Sequence, residues 1–254
     1  IFEISRADTG RVVDYISTDY RGVAASDLLP IGRYKIREVT PPPYYLLNPR
    51  EFEVELKIPN DIVQIEVYDQ SADLDVTIQK TGNQQVQGGS QMRYDFSNIA
   101  NNSNVPLESF YWHDQIPTNA VTLNAIKTGT YNENLTYQIV YRTNKNSTWR
   151  VLAGGLNTLQ SYDIDCTGSR LGFAWDEYIT EFRFEFGDVG AGFHSTSNPA
   201  ILVTVSGRLP NGQQFANRAD AGGSYYGKWI TSSYTWVTTV ITPSRPVSYP
   251  KTGY

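Results

Sequence analysis

Three polar side chains stand where the alternation of the chain calls for apolar ones. In VTIQKTG, Val76, Ile78 and Lys80 share one side of an extended segment. In SFYWHDQIP, Phe110, Trp112 and Asp114 share one, and in QQFANRA so do Phe215, Asn217 and Ala219. Successive strand side chains point to opposite faces, so a strand that turns its large apolar residues to a core takes these three along. Each alone has an ordinary explanation, a strand-end residue already turning into solvent. Together, a lysine, a carboxylic acid and an amide are the parties to one reaction. Burial in apolar surroundings lowers the pKa of an amine, making it a neutral nucleophile. The same surroundings raise that of a carboxyl group, which then stays protonated and can donate to a carbonyl. The Lys80 amine would attack the Asn217 side-chain carbon, Asp114 would shuttle protons, and ammonia would leave. The product is an isopeptide bond between the first and last strands of a domain. Bonding removes the charges, so burial of the three groups is no standing penalty. Asp95 in MRYDFSN is the competing acid. Met92, Tyr94 and Phe96 share one side of that segment and Asp95 lies on the other, so parity favours Asp114.

The elements that must carry these residues are strands. RVVDYISTD, RYKIREV, EFEVELKI, IVQIEVYD, DVTIQKTG, LTYQIVYRT, EFRFEFG, AILVTVSG and YTWVTTVIT are β-branched and aromatic, alternate in polarity, and end at Gly, Pro, Asn or Asp turns. No amphipathic helix longer than about two turns is evident, and the expected fold is all-β, with two immunoglobulin-like β-sandwich domains in tandem. The chain of 254 residues has room for both. The first domain is placed at 1–72, with its first strand expected to be missing, the larger second at 73–243, and a Pro-rich tail at 244–254. With 40% hydrophobic and 13% aromatic residues, the chain has the material for packed cores. A net charge of -5 and no basic stripe argue against nucleic acid as a partner. One cysteine, Cys166, excludes an intramolecular disulfide and a cysteine zinc site. With two histidines there is little for a metal centre or a Ser-His-Asp triad. No cofactor or metal is expected.

In this order and spacing, IQKTGNQQVQGG, FYWHDQIPT and PNGQQFANRA resemble the Lys, Asp and Asn segments of the collagen-adhesin A-type isopeptide domains of Gram-positive surface proteins and pilins. By that resemblance Lys80 is the amine, Asn217 the acceptor and Asp114 the catalytic acid/base. TGRVVDYISTDYRGVAASDLLPIGRYKIREVTPPPYYLLN resembles the prealbumin-like, collagen-adhesin B-type repeat of the same proteins. It carries the TG, the TD-x-x-G turn, L-x-x-G-x-Y, and a Glu followed by Pro and Tyr. The resemblance puts Glu38, which shares a face with Tyr34 and Ile36, where that family has its catalytic glutamate. Val63, Ile65, Val67 and Asp69 share a face, with Asp69 where the family has its Asn acceptor. The family's lysine lies on a strand ahead of FEI, so no lysine here takes that part. SYPKTGY resembles the sortase sorting motif x-P-x-T-G, at Tyr249, Pro250, Lys251, Thr252 and Gly253, which implies attack by sortase on the Thr252 carbonyl.

The reading is a structural or adhesive stalk segment of a wall-anchored surface protein or pilus subunit, extracellular and not an enzyme. Sortase, peptidoglycan or neighbouring pilin subunits, and a host matrix protein or glycan are its implied partners. The alternative is a module that binds host glycan or protein. GGSYYGKWITSSYTW gathers Tyr225, Tyr226, Trp229, Tyr234 and Trp236, and exposed rings stack on sugars. Tyr234 and Trp236 read more simply as core residues of a closing strand. A hydrolase working through Asp163 and Asp165, or Asp176 and Glu177, lacks a nucleophile and a base.

Overall fold

The computed structural model describes residues 1–242, which form two compact units, Ile1–Asp73 and Leu74 onward. Among the described residues the fold is all-β apart from one helical turn. The first unit holds β1 (Phe2–Arg6), β2 (Val12–Ile16), β3 (Gly32–Glu38) and β4 (Glu51–Leu56), an antiparallel sheet in the order β2-β1-β3-β4. Phe2, Ile4 and Tyr34 are its buried apolar side chains. IVQIEVYD, expected as a strand, is not one. No described strand lies alongside it, and just beyond it the backbone is tied around Tyr45 and Ser71, with Leu46 N donating to Gln70 O at 2.8 Å and Ala72 N to Tyr44 O at 2.7 Å. Ladder pairing needs a neighbour, and alternation alone cannot supply one.

The second unit runs through β5 (Val76–Gly82), β6 (Gln85–Gln87), β7 (Gln91–Asn101), β8 (Leu107–Gln115), β9 (Val121–Lys127) and β10 (Thr130–Tyr131). It continues through β11 (Thr136–Thr143), β12 (Asn146–Asn157), β13 (Asp163–Asp165) and the helical turn α1 (Gly168–Leu171). It ends with β14 (Ile179–Val189), β15 (Ser195–Ser197), β16 (Ala200–Val205), β17 (Gln214–Tyr225) and β18 (Lys228–Ile241). These make a seven-stranded sheet, β12-β11-β14-β8-β17-β18-β6, and a five-stranded one, β13-β9-β16-β7-β5, with β10 and β15 paired apart. Among the described residues the ladders are antiparallel except that of β18 with β6.

The inner faces interdigitate in a core rich in large aromatic residues, as sandwich packing requires. Trp112 stacks on Phe184 with ring centroids 4.1 Å apart, meets Phe96 at 4.7 Å, and donates from Nε1 to Tyr131 Oη at 3.0 Å. Cys166 is a free, buried thiol pushed up to about 12 by burial, in keeping with a small hydrophobe.

Candidate functional site: a buried lysine, acid and amide

Lys80, Asp114 and Asn217 have no solvent exposure at all. Each reaches the core by strand parity. Lys80 follows Val76 and Ile78 on β5, an edge strand of the five-stranded sheet. Asp114 follows Phe110 and Trp112 on β8, between Phe182 of β14 and Ala219 of β17 in the ladder. Asn217 lies on β17 opposite Trp236 of β18. The lysine therefore comes from one sheet and the acid and amide from the other. A bond would join β5 to β17, the penultimate described strand, and not to the last one as the sequence reading had it, because β18 follows as the partner of β17 in a long hairpin.

One carboxyl group touches both of the other side chains. Lys80 Nζ donates to Asp114 Oδ1, and Asn217 Nδ2 donates to Asp114 Oδ2 at 3.3 Å. Aromatic rings close the remaining sides, with Lys80 Nζ 4.6 Å from the ring centroids of both Tyr94 and Phe96. Burial lowers the Lys80 amine to about 8, partly opposed by the charge and hydrogen bond of Asp114. Burial also raises the Asp114 carboxyl, partly opposed by Lys80 and by the Asn217 amide. Both shifts favour the uncharged pair, amine and acid, in which the nitrogen has a free lone pair. A proton released at Nζ and one needed at Nδ2 both find the same carboxyl group within reach.

Asp95 is not part of this group. It is half-buried and takes a hydrogen bond from Arg93 Nε at 2.8 Å. In the first unit Glu38 is buried and its Oε2 accepts from the backbone of Asn48 at 2.7 Å. The Asn48 side chain in turn donates to Tyr68 O at 3.1 Å, next to Asp69. Asp69 is half-buried and its Oδ1 has no hydrogen-bond partner. Neither lysine of this unit is buried. Lys35 pairs with Glu51 at 2.6 Å and Lys57 with Glu55 at 3.7 Å, both at the surface. Tyr249, Pro250, Lys251, Thr252 and Gly253 lie outside the described residues.

The aromatic run of β18 departs from expectation. Tyr234 is exposed, while Ile230 and Trp236 on the same face are half-buried against the core and only Thr238 and Val240 are fully buried, so the first half of the strand lies at the core's margin. Trp229 is 57% exposed, with its ring 6.4 Å from that of Tyr111. These two rings, Arg183, Glu185 and Gln138 line an open cleft of about 630 Å³. Of the carboxylate pairs, Asp176 is tied to Lys145 at 2.5 Å and Glu177 to Arg150 at 2.9 Å, while Asp163 and Asp165 are exposed on β13. Among the described residues no three His, Cys, Asp or Glu side chains gather as metal ligands, and no helix is long and apolar enough to cross a membrane.

Residues 1–71 match the SpaA prealbumin-like fold domain. The chain is similar to BcpA, the major pilin subunit of Bacillus cereus. The identity is 16%, the match covers 94% of this chain and 63% of that one, and the TM-score is 0.36. The full-length major pilin SpaD from Corynebacterium diphtheriae aligns with 16% identity over 94% of this chain and 60% of its own, TM-score 0.31. The collagen-binding domain from a Staphylococcus aureus adhesin aligns with 14% identity over 66% of this chain and 99% of its own, TM-score 0.31. The chain thus spans about three fifths of the length of the two pilins. No curated protein matches it.

Proposed function

We propose that this protein is a structural segment of a pilus or surface adhesin, displayed outside a Gram-positive cell and locked by an autocatalytic isopeptide bond between Lys80 and Asn217. The single observation that carries the bond is the sealed cluster in which the Asp114 carboxyl contacts both the Lys80 amine and the Asn217 amide. The amine adds to the amide carbon, Asp114 relays the proton, and ammonia departs. The reaction happens once per molecule and turns over no substrate. A fibre subunit that bears load without disulfides gains from a covalent tie between its two sheets, since the tie limits how far the chain can open.

The prealbumin-like match over residues 1–71 supports the surface-protein reading of the first unit. There Glu38 is the counterpart of Asp114 and Asp69 stands at the acceptor position, with neither Lys35 nor Lys57 placed to react with it. Tyr249 to Gly253 are proposed as a sorting motif, with sortase acting at Thr252 and passing the chain to peptidoglycan or to a neighbouring subunit. Intact-mass measurement tests the central claim. The purified protein should weigh one ammonia less than its sequence, and a peptide map should join the Lys80 and Asn217 segments. The full calculated mass would end this reading.

A second reading is favoured by Trp229 and Tyr111, which put two aromatic faces beside the charged groups Arg183 and Glu185 in one open cleft. Such a site suits a host glycan or an extended protein segment. Glycan-array binding that Trp229→Ala abolishes would support it, and the two readings are compatible in one adhesin.

A further inference from the structure

Two polar atoms beside the reacting groups have no role in the reaction as written. Asn217 Oδ1 accepts no hydrogen bond, and Tyr94 Oη, on a side chain with no exposure, makes none. Leaving a buried polar group unpaired costs about 1–3 kcal/mol, so two of them in one cluster require a cause. They are neighbours. Burial pushes the Tyr94 phenol up to about 12, while the nearby side chains of Thr238 and Asn217 draw it down and the Asp114 charge raises it further. The phenol therefore keeps its proton at any working pH and is a donor seeking an acceptor.

The fold also sets the ring in place. Tyr94 on β7 pairs with Gly82 on β5, two residues beyond Lys80. A Cβ at position 82 would come within 2.7 Å of Tyr94 Cδ1 and 2.9 Å of Cε1. The ring occupies the space that any larger residue would need, and the Lys80 amine lies 4.6 Å from its centre.

We propose that Tyr94 is a further catalytic residue of the Lys80–Asn217 reaction, its hydroxyl donating to Asn217 Oδ1 as negative charge builds there. The inference rests on the reading of Lys80 and Asn217 as the reacting pair. The lone pair of Nζ forms the new bond to Cγ, and the carbonyl π pair moves onto Oδ1, which Tyr94 then holds. The surplus proton on Nζ passes through Asp114 to Nδ2. The Cγ–Nδ2 bond breaks, its electron pair leaves with ammonia, and the pair on Oδ1 closes the carbonyl again. An interaction that is poor in the ground state and made only in the transition state is the kind that accelerates a reaction. That accounts for both atoms being unpaired before attack, when Cγ is still planar.

The test follows the reaction in time. Wild type and Tyr94→Phe are made by cell-free synthesis and sampled for intact mass, which reads the fraction that has lost ammonia. Tyr94→Phe should form the same bond about 100-fold more slowly, the loss expected on removing one oxyanion donor. Once bonded, it should melt close to wild type. Equal rates overturn the proposal. Should Tyr94→Phe fail to fold, a ring-fluorinated tyrosine incorporated at position 94 decides. It keeps the shape and strengthens the donor, so bonding should speed up, and an unchanged rate overturns the proposal. Wild type that never loses ammonia would instead overturn the bond itself and Tyr94 with it.

Discussion

Asp114 of the second unit and Glu38 of the first are both buried acids, and the two keep different company. In the second unit Asp114 sits on a strand whose other inward residues are Phe110 and Trp112, within a core of stacked aromatic rings, and it touches an amine and an amide. In the first unit Glu38 lies on a sheet that buries only Phe2, Ile4 and Tyr34 as apolar side chains, and it touches a backbone amide. The lysines differ in the same way. Lys80 is sealed and its amine lowered, whereas Lys35 stands at the surface, raised by the Glu51 carboxylate beside it. A protonated surface ammonium has no lone pair to offer, and a dry site is what supplies one. Chemistry of this kind depends less on having an acid, an amine and an amide than on a core thick enough to neutralise them.

The largest effects should come from disarming the second unit. Asp114→Asn should leave the chain at its full calculated mass, allowing for the substitution, and Lys80→Met should do the same while keeping the volume of the lysine stem. Without a tie across so long a loop, each variant should lose roughly 5 kcal/mol by the chain-entropy relation. For a unit of this size that is a fall in melting temperature of about 10–20 °C. Either variant losing ammonia, or melting with wild type, would erase the contrast between the units.

An intermediate effect lies in the pH dependence of an unbonded chain. Asn217→Ala keeps Lys80 and Asp114 but removes the acceptor. Burial holds the Lys80 amine near 8 in the folded state, below its ordinary value of 10.5, so between those pH values the unfolded chain binds more protons. Stability should then rise with pH across that window. Where wild type carries the proposed bond, the nitrogen is an amide that does not titrate, and that rise should be missing. Denaturant midpoints measured from neutral pH to about 10.5 compare the two. Parallel profiles would mean that Lys80 is either unbonded in wild type or not buried in the variant.

Much of the second unit was legible because strand parity is strict. A period of two carries Lys80, Asp114 and Asn217 to the inner face together with neighbours that plainly belong there. Parity says nothing of which strand lies beside which. IVQIEVYD alternates well yet has no described partner, and the hairpin of β17 and β18 makes Asn217 part of the penultimate strand. Nor does parity say where a core ends, and so Tyr234 reads as core while it is exposed. Tyr94 was hidden for another reason. A tyrosine between Met92 and Phe96 looks like ordinary packing, and only the absence of a partner for its hydroxyl sets it apart.

The smallest effect belongs to Glu38. Its Oε2 takes one hydrogen bond from the Asn48 backbone, and glutamine keeps an oxygen able to accept it. Glu38→Gln therefore keeps an acceptor for that bond but changes its partner, and should lower the stability of the first unit by about 1 kcal/mol at most. It should leave the mass unchanged apart from the substitution, because no buried amine faces Asp69 within the described residues. A peptide map of wild type should likewise return Lys35 and Lys57 unmodified. If the map instead showed either lysine joined to Asp69 with loss of water, and Glu38→Gln removed that link, a surface amine would have reacted. A dry core would then no longer be what separates the two units, and the low amine of Lys80 would need to be weighed against simple proximity.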